Sequence, residues 1–375
     1  MNEDRQFMWF DLFEPDVAEA PPLRQDFAVV RRRGQPWLYL PLDRRAAAHS
    51  LALYPAQNYK ARLAKRLLGV ALRLASPRWL GLEIFSQAIT RNDPFANYLS
   101  RTAGLPEAGC PRFAVLGGNP NVAGRRDIFL LFDAMHQPVA VVKAGHDDAA
   151  RKLIAKEEKL LNALPPKTAG APRLREGFSS SRVMALAMDF FPGESPQGDA
   201  AIELSKLFDS WLDTSREIRL AELPAWQRLV DSLCAEPLHG TARLPGDLRV
   251  RPTLMHGDFA PWNVKAQAGR WTVLDWERGE LVGVPGWDWF HFVMQPAVLV
   301  RREATHALLA RFEKLLASPE FNAYARRAAI AGHERPLALA YLTYCLRVIR
   351  QTEGMERIAE LKRAAFGRWF SPELA

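Results

Sequence analysis

The sequence predicts an α+β protein, a strand-rich stretch followed by a mainly helical one. Three observations carry this. Between 113 and 188, short β-branched and aromatic runs alternate with Gly, Pro and Asn turns. From 202 to the end, most apolar residues recur at helical spacing. Within that helical half sits one β-like island at 254–275, LMHGDFAPWNVKAQAGRWTVLD, which reads as a short strand, a tight loop and a second strand.

The chain has 375 residues, 48% hydrophobic and 25% charged, as in a folded globular protein of one large or two to three smaller domains. Cys110, Cys234 and Cys345 are scattered and form no C-x2-C pair, so neither a zinc site nor a disulfide framework is expected. This favours a reducing, cytoplasmic compartment. The first residues are acidic where a secretory signal needs basic ones, and no apolar run is long enough to span a bilayer. The net charge of +8 is a mild bias towards anionic partners. No basic-aromatic recognition motif accompanies it, so no nucleic-acid partner is expected.

In chain order, residues 1–110 form an N-terminal accessory segment of unknown role. Leu38 to Leu42 reads as a short strand after a turn at Gly34. Residues 58–74, NYKARLAKRLLGVALRL, have Leu63, Leu67, Val70, Ala71 and Leu74 at helical spacing and five basic residues with no acid. Two readings compete: a peripheral membrane contact through a basic amphipathic helix, or a helix packed on the protein with its basic face in water. The second is favoured, because Gly69 weakens the helix and no large aromatic anchor lies inside it. Residues 94–111 read as a connector.

Strands are expected at 113–116, 128–132 and 139–143, with Gly117, Gly118 and Asn119 in the first turn. A glycine-bearing hairpin lets backbone N–H groups approach nucleotide phosphates, and Lys143 on the third strand is placed to pair with them. A helix follows at 147–164 and a buried strand at 183–188, then helices near 202–212, 226–233, 307–316, 337–349 and 355–366.

The loop at 256–263 carries the chemistry. Asp258 accepts a proton from a hydroxyl. Asn263 and Asp275 are hard oxygen ligands of the kind Mg²⁺ takes, with water and phosphate oxygens filling its other positions. A base beside a metal-bound phosphate is the apparatus of phosphoryl transfer. The order H-x-D-x4-N, a strand, then a metal Asp matches the kinase catalytic loop. His256-Gly257-Asp258-Phe259 through Asn263, then Leu274-Asp275-Trp276-Glu277, resembles the aminoglycoside phosphotransferase / choline kinase family, which writes its loop HGDxxxxN. The bland alternative is a hairpin whose Asp, Gly and Asn are turn residues.

The resemblance implies a protein-kinase-like two-lobed fold, a small β-rich N-lobe at 111–190 and a larger helical C-lobe at 191–375. It implies ATP and Mg²⁺ as cofactors and a small-molecule hydroxyl as acceptor. GGNPN at 117–121 resembles the family's nucleotide loop without being G-x-G-x-x-G. Glu157 and Glu158 compete to hold Lys143; the family's placement favours Glu157. By resemblance alone, Met188 and Phe190 meet the adenine at the hinge between lobes. His256 fixes the loop by hydrogen bonds rather than acting as the base, Asp288 supports it from a helix start as N-cap or neighbour, and His291 is a satisfied core histidine. Glu277 is left open. The acceptor is unassigned; a sugar, glycan or lipid-linked hydroxyl fits the basic balance better than a polycationic antibiotic. Two rival readings stand: a non-catalytic nucleotide-binding scaffold on the same fold, or an N-terminal segment that is itself the functional part.

Overall fold

The computed structural model describes residues 8–14, 22–32, 34–54, 56, 59–90, 92–106, 110–118, 124–196, 200–233, 247–349 and 354–370. The chain forms two compact units, Met1–Asn162 with Pro172–Pro192, and Ala163–Ala171 with Gly193–Ala375. The first is β-rich and the second mainly helical, so the α+β expectation of a β-rich part followed by a helical one is met.

The first unit is built on one eight-stranded sheet. Its strands are β1 (Leu23–Arg32), β2 (Gln35–Pro41), β3 (Glu83–Ile89), β4 (Phe113–Leu116), β5 (Asp127–Phe132), β6 (Pro138–Gly145), β7 (Leu174–Ser179) and β8 (Met184–Asp189). They lie in the order β3-β1-β2-β4-β5-β6-β8-β7, and every neighbouring pair is antiparallel. This corrects the boundary drawn at residue 110. Residues 23–89 are not a separate accessory segment, because β2 pairs with β4 through Leu38↔Leu116 and Tyr39↔Val115 and continues the same sheet.

One sheet face is closed by an aromatic cluster. Trp9, Phe27, Phe95, Phe113 and Phe129 are fully or almost fully buried there. Trp9 sits in a short 3-10 turn, Trp9–Leu12, edge-on to Phe27, Tyr39, Phe113 and Phe129. Rings of this size contribute most of the buried apolar area. A second face carries α1 (Arg44–Ser50) and α2 (Tyr59–Leu74), whose Ala47 and Leu72 join Ala28, Leu38 and Leu40.

The connector expected at 94–111 begins as a helix, α3 (Pro94–Thr102). The Asp93 carboxylate accepts the Ala96 N–H at 2.6 Å, and Pro94 fills the first helical position, where its missing N–H costs nothing. Phe95, Tyr98 and Leu99 then bury one face. Gly and Pro flanking the segment had disguised a well-capped helix. α4 (Asp148–Ala163) follows β6 as expected.

In the second unit, helices α5 (Ala201–Trp211), α6 (Pro224–Asp231), α7 (Trp287–Gln295), α8 (Thr305–Leu316), α9 (Pro319–Arg327), α10 (Glu334–Tyr344) and α11 (Met355–Phe370) enclose three two-stranded pieces. These are β9 (Ile218–Arg219) with β10 (Arg249–Val250), β11 (Thr253–Met255) with β14 (Glu280–Gly283), and β12 (Val264–Gln267) with β13 (Arg270–Val273). The island at 254–275 is therefore not one hairpin around the HGD loop. The strand before the loop pairs with β14, and the hairpin lies after it, turning at Ala268 and Gly269, both at positive φ.

Candidate active site

Lys143 stands in the middle of the sheet, on β6 between Ile128 of β5 and Leu186 of β8. Its Nζ donates to both carboxylate oxygens of Glu157, at 2.8 and 2.7 Å. Glu157 points inward because Ala150, Ile154 and Leu161 bury the same side of α4. Glu158 lies instead against Gly177, where an added Cβ would come within 2.3 Å of its Oε1. Of the two glutamates in competition, Glu157 is the one that meets the lysine.

The turn after β4 differs from expectation. Gly117 N–H donates to the Trp37 carbonyl at 2.8 Å, and Gly118 N–H to Asp127 Oδ1 at 2.9 Å. Arg125 holds the same carboxylate at 3.0 Å. Burial pushes the Asp127 carboxyl up, against the lowering effect of Arg125. A Cβ on Gly118 would stand 2.4 Å from the Arg126 carbonyl oxygen. Both glycine amides are thus directed into the protein, and the glycine at 118 is required by close backbone packing. Asn119 lies outside the described residues.

Met188 is buried in β8, opposite Val141 and Leu174. Phe190 N–H donates to the Val139 carbonyl at 3.1 Å, and its ring packs on Ala46, Ala114, Leu130 and Phe132. The division between units falls just beyond, at Pro192/Gly193.

The HGD loop in the second unit is held from below. Gly257 has φ +75, and a Cβ there would meet the Arg278 carbonyl oxygen at 2.7 Å, so the position accepts only glycine without strain. His256 is fully buried and both ring nitrogens serve the backbone. Nε2 donates to the Leu274 carbonyl at 2.9 Å, and Nδ1 accepts the Asp258 N–H at 3.2 Å, which fixes the tautomer. Asp288, in the first turn of α7, accepts His256 N–H at 2.6 Å and Gly257 N–H at 2.9 Å. Gly286, not Asp288, is the N-cap. Burial raises the Asp288 carboxyl above the ordinary range despite those two N–H donors and the neighbouring histidines.

The β12–β13 hairpin brings Asn263 and Asp275 together. Val264 pairs with Val273, and Leu274 N–H donates to the Asn263 carbonyl at 2.7 Å, so the two residues stand at the same end of the hairpin. Asn263 Nδ2 donates to the Asp258 carbonyl at 2.9 Å. Asp275 has φ 73 and ψ 58, a left-handed conformation that costs a residue with a side chain roughly 1 kcal/mol or more. Strain of this kind persists where the surrounding structure holds it, and it clusters at functional sites. Glu277 is buried beside it.

One residue of this network escaped the sequence reading. His291 is buried, as a core histidine would be, but its Nε2 meets Asp258 Oδ1 at 2.9 Å. Its Nδ1 meets the Tyr341 hydroxyl at 2.6 Å. With Tyr341 donating to Nδ1, the Nε2 proton goes to Asp258. Burial raises the Asp258 carboxyl, but the hydrogen bond from His291 leads the effects that outweigh it and hold the group below the usual range. A signal was present: His291 follows Asp288 by three residues in a helix, on the face already assigned to support the loop.

Asp275 and Asn263 supply one charged and one neutral oxygen, a donor set that suits Mg²⁺ completed by phosphate and water. No family model matches this sequence, and no curated protein matches it significantly. Among the solved structures that resemble it are aminoglycoside phosphotransferases and a putative fructosamine-3-kinase. The streptomycin–ATP complex of the aminoglycoside phosphotransferase APH(2″)-IIa is 15% identical, with 69% of this chain and 93% of that one aligned at a TM-score of 0.41. A thermostable mutant of aminoglycoside phosphotransferase APH(4)-Ia with ADP and hygromycin B is 11% identical over 74% and 99%, at 0.46. A putative fructosamine-3-kinase from Haemophilus somnus 129PT is 12% identical over 73% and 96%, at 0.39.

Proposed function

We propose that the chain is an ATP- and Mg²⁺-dependent phosphotransferase acting on a hydroxyl of a small molecule. The observation that carries this is the junction of Asp258, Asn263 and Asp275. An ionised carboxylate accepts through its backbone from an amide, and a second carboxylate in a left-handed conformation follows the hairpin end where that amide stands. A left-handed aspartate beside the loop is the kind of backbone position that clusters at functional sites.

The geometry supports the following roles. Asp258, kept ionised and aimed by His291, orients the acceptor hydroxyl and takes its proton. Asn263 turns its Nδ2 to Asp258, and its Oδ1 is the oxygen a cation would take, with Asp275 as the charged ligand. When bound, Mg²⁺ supplies charge neutralisation at the phosphate oxygens. Lys143, with its ammonium fixed by Glu157, is a candidate phosphate contact. His256 and Asp288 hold the loop in shape. For the acceptor, a sugar, glycan or lipid-linked hydroxyl suits a chain of net charge +8 better than a polycation does.

The test is ATP binding by calorimetry with and without Mg²⁺, on the wild type and Asp275→Ala, followed by ATP turnover in Asp258→Asn. Mg²⁺-dependent binding lost in Asp275→Ala, and turnover reduced by roughly a hundredfold or more in Asp258→Asn, are expected. A folded Asp275→Ala protein that binds Mg-ATP normally sinks the metal assignment. Normal Mg-ATP binding with no turnover in the wild type moves the reading to a nucleotide-binding scaffold, and turnover unaffected by Asp258→Asn removes Asp258 as the base.

A further inference from the structure

The helix α2 is turned the wrong way round for a water-soluble surface. Its residues Tyr59, Leu63, Leu67, Val70 and Leu74 follow one another at steps of four and three, one stripe roughly 80° wide at 3.6 residues per turn. That stripe faces solvent. Tyr59 is 73% exposed, Leu63 45%, Leu67 63%, Val70 53% and Leu74 75%. The opposite side does the packing: Leu72 is buried and Leu68 partly so, in the cluster with Leu38, Leu40, Ala47 and Leu51. The favoured sequence reading, an apolar face packed inward and a basic face in water, is therefore reversed.

Two further observations say what the stripe is for. First, the exposed Arg66 and Arg73 flank it on one side and the exposed Lys60 on the other. No aspartate or glutamate occurs anywhere in Tyr59–Leu74. Second, Trp79, in the 3-10 turn Pro77–Leu80 just past the helix, is 84% exposed. An indole is the side chain that settles best at the boundary of water and acyl chains. The aromatic anchor missing from the helix interior thus stands beyond one end, and Tyr59 stands at the other.

We propose that α2 with Trp79 docks on the surface of an anionic lipid bilayer. Leu63, Leu67, Val70 and Leu74 enter the headgroup–acyl boundary, and Lys60, Arg66 and Arg73 reach the lipid phosphates beside it. Charge decides against a second copy of the chain as occupant. Two such helices laid face to face would bring basic rims together with no acid between them. An acidic surface matches the rims, and a bilayer also accepts a stripe of unbranched length and no fixed shape. The proposal does not depend on the reaction the chain catalyses.

Flotation of the full chain with large vesicles tests it, using phosphatidylcholine alone and phosphatidylcholine with about one third phosphatidylglycerol. Binding is expected to the second and not the first. It should fall as salt shortens the Debye length from about 10 Å to about 3 Å. Leu67→Glu/Val70→Glu should weaken binding roughly tenfold or more with an unchanged melting temperature, since both residues are exposed. A blue shift of fluorescence on vesicles, absent in Trp79→Phe, would place the indole at the interface. Failure of the wild type to bind acidic vesicles overturns the proposal, as does undiminished binding by the double variant. A dimer in sedimentation equilibrium, dissociated by the same pair and indifferent to lipid, overturns it in favour of a second copy.

Discussion

Two helices of the same unit, α2 and α4, are each 16 residues long and amphipathic, and they use that pattern in opposite senses. α4 turns Ala150, Ile154, Leu160 and Leu161 inward and carries Glu157 with them to Lys143. α2 turns Tyr59, Leu63, Leu67, Val70 and Leu74 outward and packs through its other side. Periodicity shows that a helix has an apolar face; it does not say what covers that face. In α4 the cover is the sheet, and the one charge on the buried side has a lysine opposite it. In α2 the packing side is made of small or central residues, Ala61, Leu68, Gly69 and Leu72, which a search for the strongest stripe passes over.

The largest expected effect breaks the inward helix. Glu157→Ala removes the carboxylate that offsets a buried ammonium, and should cost about 3–5 kcal/mol in denaturant unfolding. Replacing both partners, Lys143→Met with Glu157→Leu, should recover most of that loss, because a buried ion pair is often matched by apolar groups of similar size. Nucleotide affinity should not recover with it. If Glu157→Ala unfolds like the wild type, the pair is solvated and α4 is not the anchored helix described. Next in size, and within α2 itself, Leu72→Ala should cost about 2–5 kcal/mol, the range for emptying a buried leucine site.

The candidate site was legible because the chemistry proposed for it needs particular residue types at fixed local spacing. Asp258, Asn263 and Asp275 lie within one loop and one hairpin, so the chain itself sets their distances. Lys143 and Glu157 are separated only by a strand end and two helical turns, and the helix face chose between Glu157 and Glu158. What escaped notice depends on long-range packing. His291 reaches Asp258 from a later helix, and Tyr341 reaches His291 from a later one still. Residues 23–89 join the sheet through β2 and β4, strands with more than seventy residues between Leu38 and Leu116. The phosphate role given to Gly117 and Gly118 came from a glycine-bearing turn and its resemblance to a nucleotide loop, and the structure shows their amides bonded inward. Glycine marks a close backbone approach, but what approaches is set elsewhere in the fold.

The smallest expected effect is the sharpest check on the comparison. Leu67→Ala and Val70→Ala, singly, should change stability by no more than about 0.5 kcal/mol, as for surface sites away from special features. Leu72, only two residues from Val70, should then differ from it several-fold in cost. That contrast within one helix turn cannot come from helix propensity, since alanine favours the helix at all three positions. It isolates which side of α2 the protein covers. A loss above about 1 kcal/mol at Leu67 would mean that side is packed on the chain in solution. The two helices would then be alike, and the bilayer would have no exposed stripe to take.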